Sequence, residues 1–251
     1  MIEVYIVLIG LAISSFLGSL SYRVPRKISI LTPPSFCPSC KRRLRAFELV
    51  PVASYLALRG RCRTCGYRIP VRFLIIELLT PLLYIALYRR VGISPIFFTC
   101  GYLVSLLLYL SLVDIDTGSV SAGDIAAIYA GGMFTLFLSY RGATTQRPLE
   151  SLYGFGLCLG LLSLSLLIIY VVKRRRALGI GDLLILPGIA LYFGLYSIIR
   201  ILLFSSIFGL VFGMVLIVLK RVDSNFKFPM IPFLCVGVCI EILAFYSTIQ
   251  I

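Results

Sequence analysis

Long apolar runs alternate with short polar stretches along nearly the whole of this chain. About 20 consecutive apolar residues are needed to cross a bilayer as a helix, and eight runs approach that length: 4–22, 72–88, 94–113, 123–140, 151–172, 183–199, 201–219 and 229–249. Little more than Arg200 separates the sixth run from the seventh. No basic residue precedes the first run in Met1-Ile2-Glu3, and positive charges begin at Arg23. A cleaved signal peptide has the opposite order, so the first run reads as a retained anchor with its N-terminus outside. Eight spans from that start put 23–71, 114–122, 173–182 and 220–228 on the cytoplasmic side. Those stretches, with Arg72 at their edge, hold 19 Lys and Arg residues, whereas Arg89, Arg90, Arg141, Arg147 and Arg200 are the five left for the other side. This asymmetry follows the positive-inside rule. The pattern predicts an all-α polytopic membrane protein of about eight transmembrane helices. Its parts are a first transmembrane helix at 1–22, a polar cytoplasmic loop at 23–71 and a seven-helix membrane domain at 72–251.

Composition agrees and removes several chemistries. Of 251 residues, 60% are hydrophobic and 14% charged, with a mean hydropathy of +1.03. A soluble domain carries roughly a quarter charged residues, so a soluble enzyme, a disordered chain and a secreted disulfide scaffold are excluded. The net charge of +14 reads as loop charge next to a membrane and not as a nucleic-acid footprint. The chain has no His. Catalysis here must do without Ser-His or Cys-His nucleophile pairs and without His-ligated metals.

The 23–71 loop contains Cys37-Pro38-Ser39-Cys40 and Cys62-Arg63-Thr64-Cys65, with 21 residues between the inner cysteines. Two such C-x2-C knuckles suit tetrahedral coordination of one Zn²⁺ by four thiolates. Gly60 and Gly66 flank the second knuckle, as tight turns require. Cytoplasmic placement favours metal over cystine. Four thiolates close the coordination shell, so the metal is expected to fold the loop and not to carry the chemistry. Cys100, Cys158, Cys235 and Cys239 lie in apolar runs and read as small buried side chains.

Ten acids remain to be weighed. Glu3, Glu150 and Asp223 read as surface charge, and Glu48 as an ion-pair partner among Lys41, Arg42, Arg43 and Arg45. Glu77 and Glu241 stand inside apolar runs, where a carboxylate is costly unless paired, hydrated or protonated. For Glu77, five residues from Arg72, an ion pair or helix-end contact and a functional role stay open; Glu241 has no motif around it. Asp114-Ile115-Asp116 closes the third run, Asp124 opens the fourth, and Gly179-Ile180-Gly181-Asp182 opens the sixth after the basic run 173–176. The predicted topology sets Asp114 and Asp182 at helix ends on one face of the membrane. Two converging carboxylates can share a proton and activate water without histidine. Each also has a plainer reading, Asp182 as a helix N-cap and Asp114 as an interfacial acid.

The residues resemble a known family. Gly18-Ser19, Tyr22-Arg23-Val24-Pro25, Pro33-Pro34-Ser35-Phe36-Cys37-Pro38-Ser39-Cys40, Val50-Pro51, Ser54-Tyr55-Leu56 and Arg59-Gly60-Arg61-Cys62 with Cys65 follow the motif order of bacterial prepilin peptidases. So do Ile69-Pro70-Val71-Arg72, Glu77-Leu78-Leu79, Val113-Asp114-Ile115-Asp116, Gly179-Ile180-Gly181-Asp182, Phe228-Pro229 and Pro232-Phe233-Leu234. The resemblance implies a GxGD-type aspartyl protease of eight transmembrane helices. It implies cleavage of the basic leader from type IV prepilins or type II secretion pseudopilins at the cytoplasmic face of the bacterial inner membrane. It further implies N-methylation of the new N-terminus with S-adenosyl-L-methionine, an activity associated with the cysteine loop. Asp114 and Asp182 match the catalytic aspartates, with Asp116 the alternative to Asp114; Gly179, Gly181 and Glu77 support the motifs, and Cys37, Cys40, Cys62 and Cys65 match the metal ligands.

Two positions depart from the family pattern. Ser121-Ala122 stands where Pro-Asp or Pro-Asn usually follows the first aspartate, with Asp124 two residues on, and Leu184 replaces a common Lys. No glycine-rich nucleotide fingerprint is present, so the methyl donor rests on resemblance alone. A peptidase without methyl transfer, and a non-cleaving membrane scaffold or transporter, are the alternative readings. The resemblance implies prepilin substrates and the apolar runs imply membrane lipid as partners, not nucleic acid; the oligomeric state and the methyl-donor pocket stay open.

Overall fold

The computed structural model describes residues 1–144, 147–172, 180–219 and 228–245. The basic run at 173–176, Gly179 and Asp223 lie outside them. Among the described residues the secondary structure is helical, with two isolated antiparallel bridges and no strand. The chain forms two compact units, Met1–Arg89 and Arg90–Ile251.

The first unit holds α1 (Ile2–Arg23), the short α2 (Ala53–Ala57) and α3 (Val71–Val91). Small residues let α1 approach α3. A Cβ on Gly10 would lie 2.8 Å from the Pro81 Cα, and one on Gly18 would lie 3.2 Å from the Phe73 ring. Where α1 ends, the buried Arg23 guanidinium donates to the carbonyls of Ser29 (2.9 Å) and Ile30 (3.1 Å), which turns the chain into the cysteine loop. The Glu3–Arg89 ion pair at 2.9 Å is exposed and contributes little.

The second unit is built around α4 (Pro95–Thr117), whose Leu103, Leu107 and Leu110 have no exposed surface. Ser94 caps its start, accepting from the Phe97 N–H with Pro95 in the first turn. Gly118, at φ +59°, ends it in the left-handed conformation that glycine adopts without strain. Against it pack α5 (Ala122–Tyr140), α7 (Ile180–Phe193) and α9 (Ile231–Ile240), the last continuing as a π-helical turn over Glu241–Phe245; α6 (Pro148–Val172) packs on α7, and α8 (Leu195–Val218) packs on α9 and α6. Glycines bring α5 and α7 together: a Cβ on Gly132 would lie 2.9 Å from the Gly188 carbonyl, and one on Gly188 would lie 2.8 Å from Ile128. Such close backbone contact is how helices associate where water supplies no driving force.

Among the described residues six helices, α1, α3, α4, α5, α6 and α8, are long and apolar enough to cross a membrane; Leu183–Phe193 and Ile231–Phe245 are shorter apolar helices. The eight match the eight apolar runs in order, and the protein is an all-α, multi-pass membrane protein with its four-cysteine loop between the first two long helices.

The break between the sixth and seventh runs is not at Arg200. It falls at Gly194, whose φ of +86° disfavours any side chain, and Arg200 lies inside α8. Arg200 pairs there with Glu241, which is fully buried: its Nε donates to Glu241 Oε2 at 2.8 Å, and Nη2 donates to both Glu241 Oε1 and Ser197 Oγ. The Phe245 ring, 5.0 Å away, covers the guanidinium. Each charge makes the other tolerable in an apolar run. Glu241→Leu alone is expected to cost about 3 kcal/mol or more by stranding Arg200. The Arg200→Leu/Glu241→Leu double variant should recover most of that in thermal unfolding of detergent-solubilised protein.

Candidate functional site

The two cysteine knuckles have the same backbone design. Cys37 N–H donates to the Arg42 carbonyl and Lys41 N–H to the Cys37 carbonyl, both at 2.9 Å; Cys62 N–H donates to the Tyr67 carbonyl at 2.8 Å and Gly66 N–H to the Cys62 carbonyl at 3.0 Å. Phe36–Arg43 and Arg61–Arg68 form the matching bridges. Lys41 (φ +57°) and Gly66 (φ +70°) hold the same left-handed position after the second cysteine. The repeated turn brings Cys37, Cys40, Cys62 and Cys65 together, their sulfurs within 4.8 Å of one another.

That arrangement can hold a metal ion. The 3.8 Å between the Cys37 and Cys65 sulfurs equals the edge of a tetrahedron whose centre lies about 2.3 Å from each sulfur, the Zn–S distance. Backbone amides of Cys65 and Thr64 lower the Cys62 thiol to about 6, so a thiolate is available at neutral pH. Burial pushes Cys37 up to about 11. Beside the cluster, Arg42 Nη2 donates to Glu48 Oε1 at 2.7 Å and the Arg45 N–H to Glu48 Oε2 at 2.8 Å. Arg42, then the Arg45 amide, hold the Glu48 carboxyl below its usual range. Its stabilising effect is therefore full above the ordinary carboxylate pKa and is lost as pH falls through the lowered value.

Glu77, within α3, reaches the same loop. Its Oε2 accepts from the Val52 N–H at 2.7 Å. Val52 has φ +61° and ψ −54°, and the Pro51 carbonyl accepts from the Ala53 N–H at 2.6 Å. This is a γ-turn centred on a β-branched residue, a strained conformation that needs support from its surroundings. The helix carboxylate supplies part of that support.

In the second unit, Asp114 and Asp116 lie in the last turn of α4, Asp114 buried and Asp116 exposed. Asp114 Oδ2 accepts from the N–H of Ile231, the first residue of α9, at 3.1 Å. One of the unpaired amides at the α9 start is thus answered by a carboxylate, as the helix dipole favours. Pro232 next to it has no N–H to offer. Asp182 is the third residue of α7; its side chain is outside the described residues. Gly181, just before it, is placed: an added Cβ would lie 3.4 Å from the Val120 Cβ. The chain that leaves Asp114 and Asp116 through Gly118 therefore runs against the start of α7.

The residue run 8–91 matches the family model described as the Bacterial Peptidase A24 N-terminal domain, and 101–214 matches the Type IV leader peptidase family. Together these take in most of the chain. It belongs to the type IV leader peptidase family. A protein of Myxococcus xanthus named prepilin leader peptidase/N-methyltransferase is 33% identical over 85% of this chain, which spans 63% of that protein's length. Proteins of the same name from Bacillus subtilis (28% identical over 91% of this chain) and Pseudomonas putida (29% over 94%) are each covered over 88% of their length. No solved structure is significantly similar to the chain.

Membership makes this chain an aspartic-type membrane peptidase, and the fold accounts for one of its departures from the family pattern. Ser121 and Asp124 form a capping box at the start of α5: Ser121 Oγ accepts from the Asp124 N–H, while Asp124 Oδ2 accepts from the Ser121 N–H and hydroxyl. Asp124 is thereby committed to a helix start. Leu184, at the other departure, offers its carbonyl to the Tyr129 hydroxyl at 3.1 Å. The partners of Glu77 and Asp114 were not legible in the sequence, since each is a backbone amide; Pro229, Pro232 and the apolar run from 229 signal only that a helix begins near Ile231.

Proposed function

We propose that this chain cleaves the basic leader from type IV prepilins or related pseudopilins and N-methylates the new N-terminus. The observation that carries the reading is the double family match across 8–91 and 101–214, joined to a buried Asp114 in the last turn of α4, whose following loop passes Gly181 at Val120. Asp114 and Asp182 act as the catalytic pair. One carboxylate takes a proton from a water molecule, whose oxygen attacks the scissile carbonyl carbon. The C–N bond then breaks, and the protonated partner gives its proton to the leaving amine. Neither step needs histidine. Asp116, exposed two residues on, stays outside the chemistry.

The same reading puts the chain in the bacterial inner membrane with its N-terminus outside. The cysteine loop and both aspartates then face the cytoplasm, where a leader carried before a membrane segment would lie; the excess of basic residues in 23–71 supports this. Zn²⁺ is the metal for Cys37, Cys40, Cys62 and Cys65, closing the loop as a structural centre. S-adenosyl-L-methionine supplies the methyl group, on the strength of the relatives' names; no residue is assigned to hold it. Glu77, clamping the strained turn at Val52, keeps α3 and the loop in one arrangement.

The test is co-expression with a prepilin in a host that lacks its own leader peptidase. A shortened product in membranes is expected, and a substrate that keeps its leader would overturn the reading.

A further inference from the structure

An apolar cavity of about 410 Å³ lies between α7, α8 and α9, and it adjoins the acid site. Ile231, whose N–H meets Asp114, forms part of its wall, and so does Leu183, which follows Asp182 in the chain. Phe228 and Phe233 stack with ring centroids 5.1 Å apart, and Phe212 leans on Phe233 at 5.3 Å, giving an aromatic side. Opposite, α8 contributes Gly209 and two serines, Ser205 and Ser206; the Ser205 hydroxyl is already committed to the Ile201 carbonyl at 2.6 Å. A Cβ on Gly209 would stand 3.7 Å from the Phe233 ring, so this glycine leaves room that a side chain would occupy. None of the lining residues is charged.

We propose that this cavity receives the apolar side chains of the first residues beyond the scissile bond, and so selects substrates with a bulky apolar segment on that side. The proposal rests on the peptidase reading above. Three observations support it. The Ile231 amide is 3.1 Å from Asp114, and an extended chain advances about 3.3 Å per residue, so a substrate held at Asp114 reaches the cavity within a few residues. The volume lies in the range of small-ligand pockets, enough for one or two large side chains. The uncharged lining rejects a basic leader, because a charge there would lose its water without gaining a partner. The cavity therefore serves the mature side. Leu210 and Met230 at its rim are largely exposed, 61% and 48%, so an apolar segment can enter sideways from the bilayer.

A lipid acyl chain is the competing occupant. The experiment uses the full-length enzyme in membranes and two prepilins mixed in one reaction, one with leucine and phenylalanine in the first three mature positions, the other with alanine there. The ratio of their cleavage rates does not depend on how much enzyme is folded. The wild type should favour the bulky substrate about 10-fold or more, the worth of burying one large apolar side chain. Gly209→Leu and Ser206→Leu each fill the cavity and should bring the ratio close to one. An unchanged ratio in both variants overturns the proposal. So does an equal slowing of both substrates, which marks a lipid or a packing effect. A wild type that cleaves neither substrate defeats the peptidase reading itself and is told apart by that result.

Discussion

Asp114→Asn and Asp182→Asn enzymes should each leave prepilin uncleaved, with rates about 10³-fold or more below the wild type. The chain contains no His to take over as base, so on the proposed mechanism losing either carboxylate removes half of the acid–base pair. Asparagine is the informative replacement at Asp114. Its side-chain oxygen can still accept from the Ile231 N–H that Asp114 now binds at 3.1 Å, so the start of α9 keeps its partner while proton transfer is lost. Unfolding temperature should therefore stay near that of the wild type as cleavage disappears. Asp116→Asn is the control: exposed in the same helix turn, it should retain most of the wild-type rate. Product appearance in isolated membranes checks all three.

Replacing Cys37 and Cys62 together by serine should empty the cysteine loop of metal and unfold it. Both sulfurs are buried, and serine offers no thiolate. Zinc held by four such sulfurs is worth about 10 kcal/mol or more of apparent binding free energy at neutral pH, far more than the turns of a loop this short can supply themselves. Metal analysis should fall from one zinc per chain to almost none, and protease should then cut within 23–71. Acid should act in the same direction, because protons compete with the metal for the sulfurs. Stoichiometric zinc in the double variant would contradict the assignment. All four described ligands lie in the first unit, so the membrane helices of the second unit should remain folded.

These two expectations differ in how far they were legible along the chain. The cysteine cluster is local chemistry: two copies of one turn, each written in consecutive residues, so spacing alone foretells that the sulfurs meet. The eight helices are legible for a similar reason, since a bilayer rewards any sufficiently long apolar run. The boundary at Arg200 fails because hydropathy treats an arginine as a break. Its charge is answered by Glu241, 41 residues on, while the actual turn needs only Gly194. Partners distant in sequence leave no trace in a linear pattern. Asp114 is found as an acid at a helix end, yet the amide that binds it is 117 residues away. Val52 is harder still, because its left-handed backbone opposes the preference of its own side chain.

The central claim is that a pair of membrane aspartates removes a leader and that the same chain then methylates the exposed amine. The intact mass of a prepilin incubated with full-length enzyme in membranes and S-adenosyl-L-methionine tests it most directly. The predicted spectrum shows a substrate lacking its leader and heavier by one methyl group, and only the unprocessed mass with the Asp114→Asn/Asp182→Asn double variant. A leader that stays attached with the wild-type enzyme, or the same processed mass from the double variant, would contradict it.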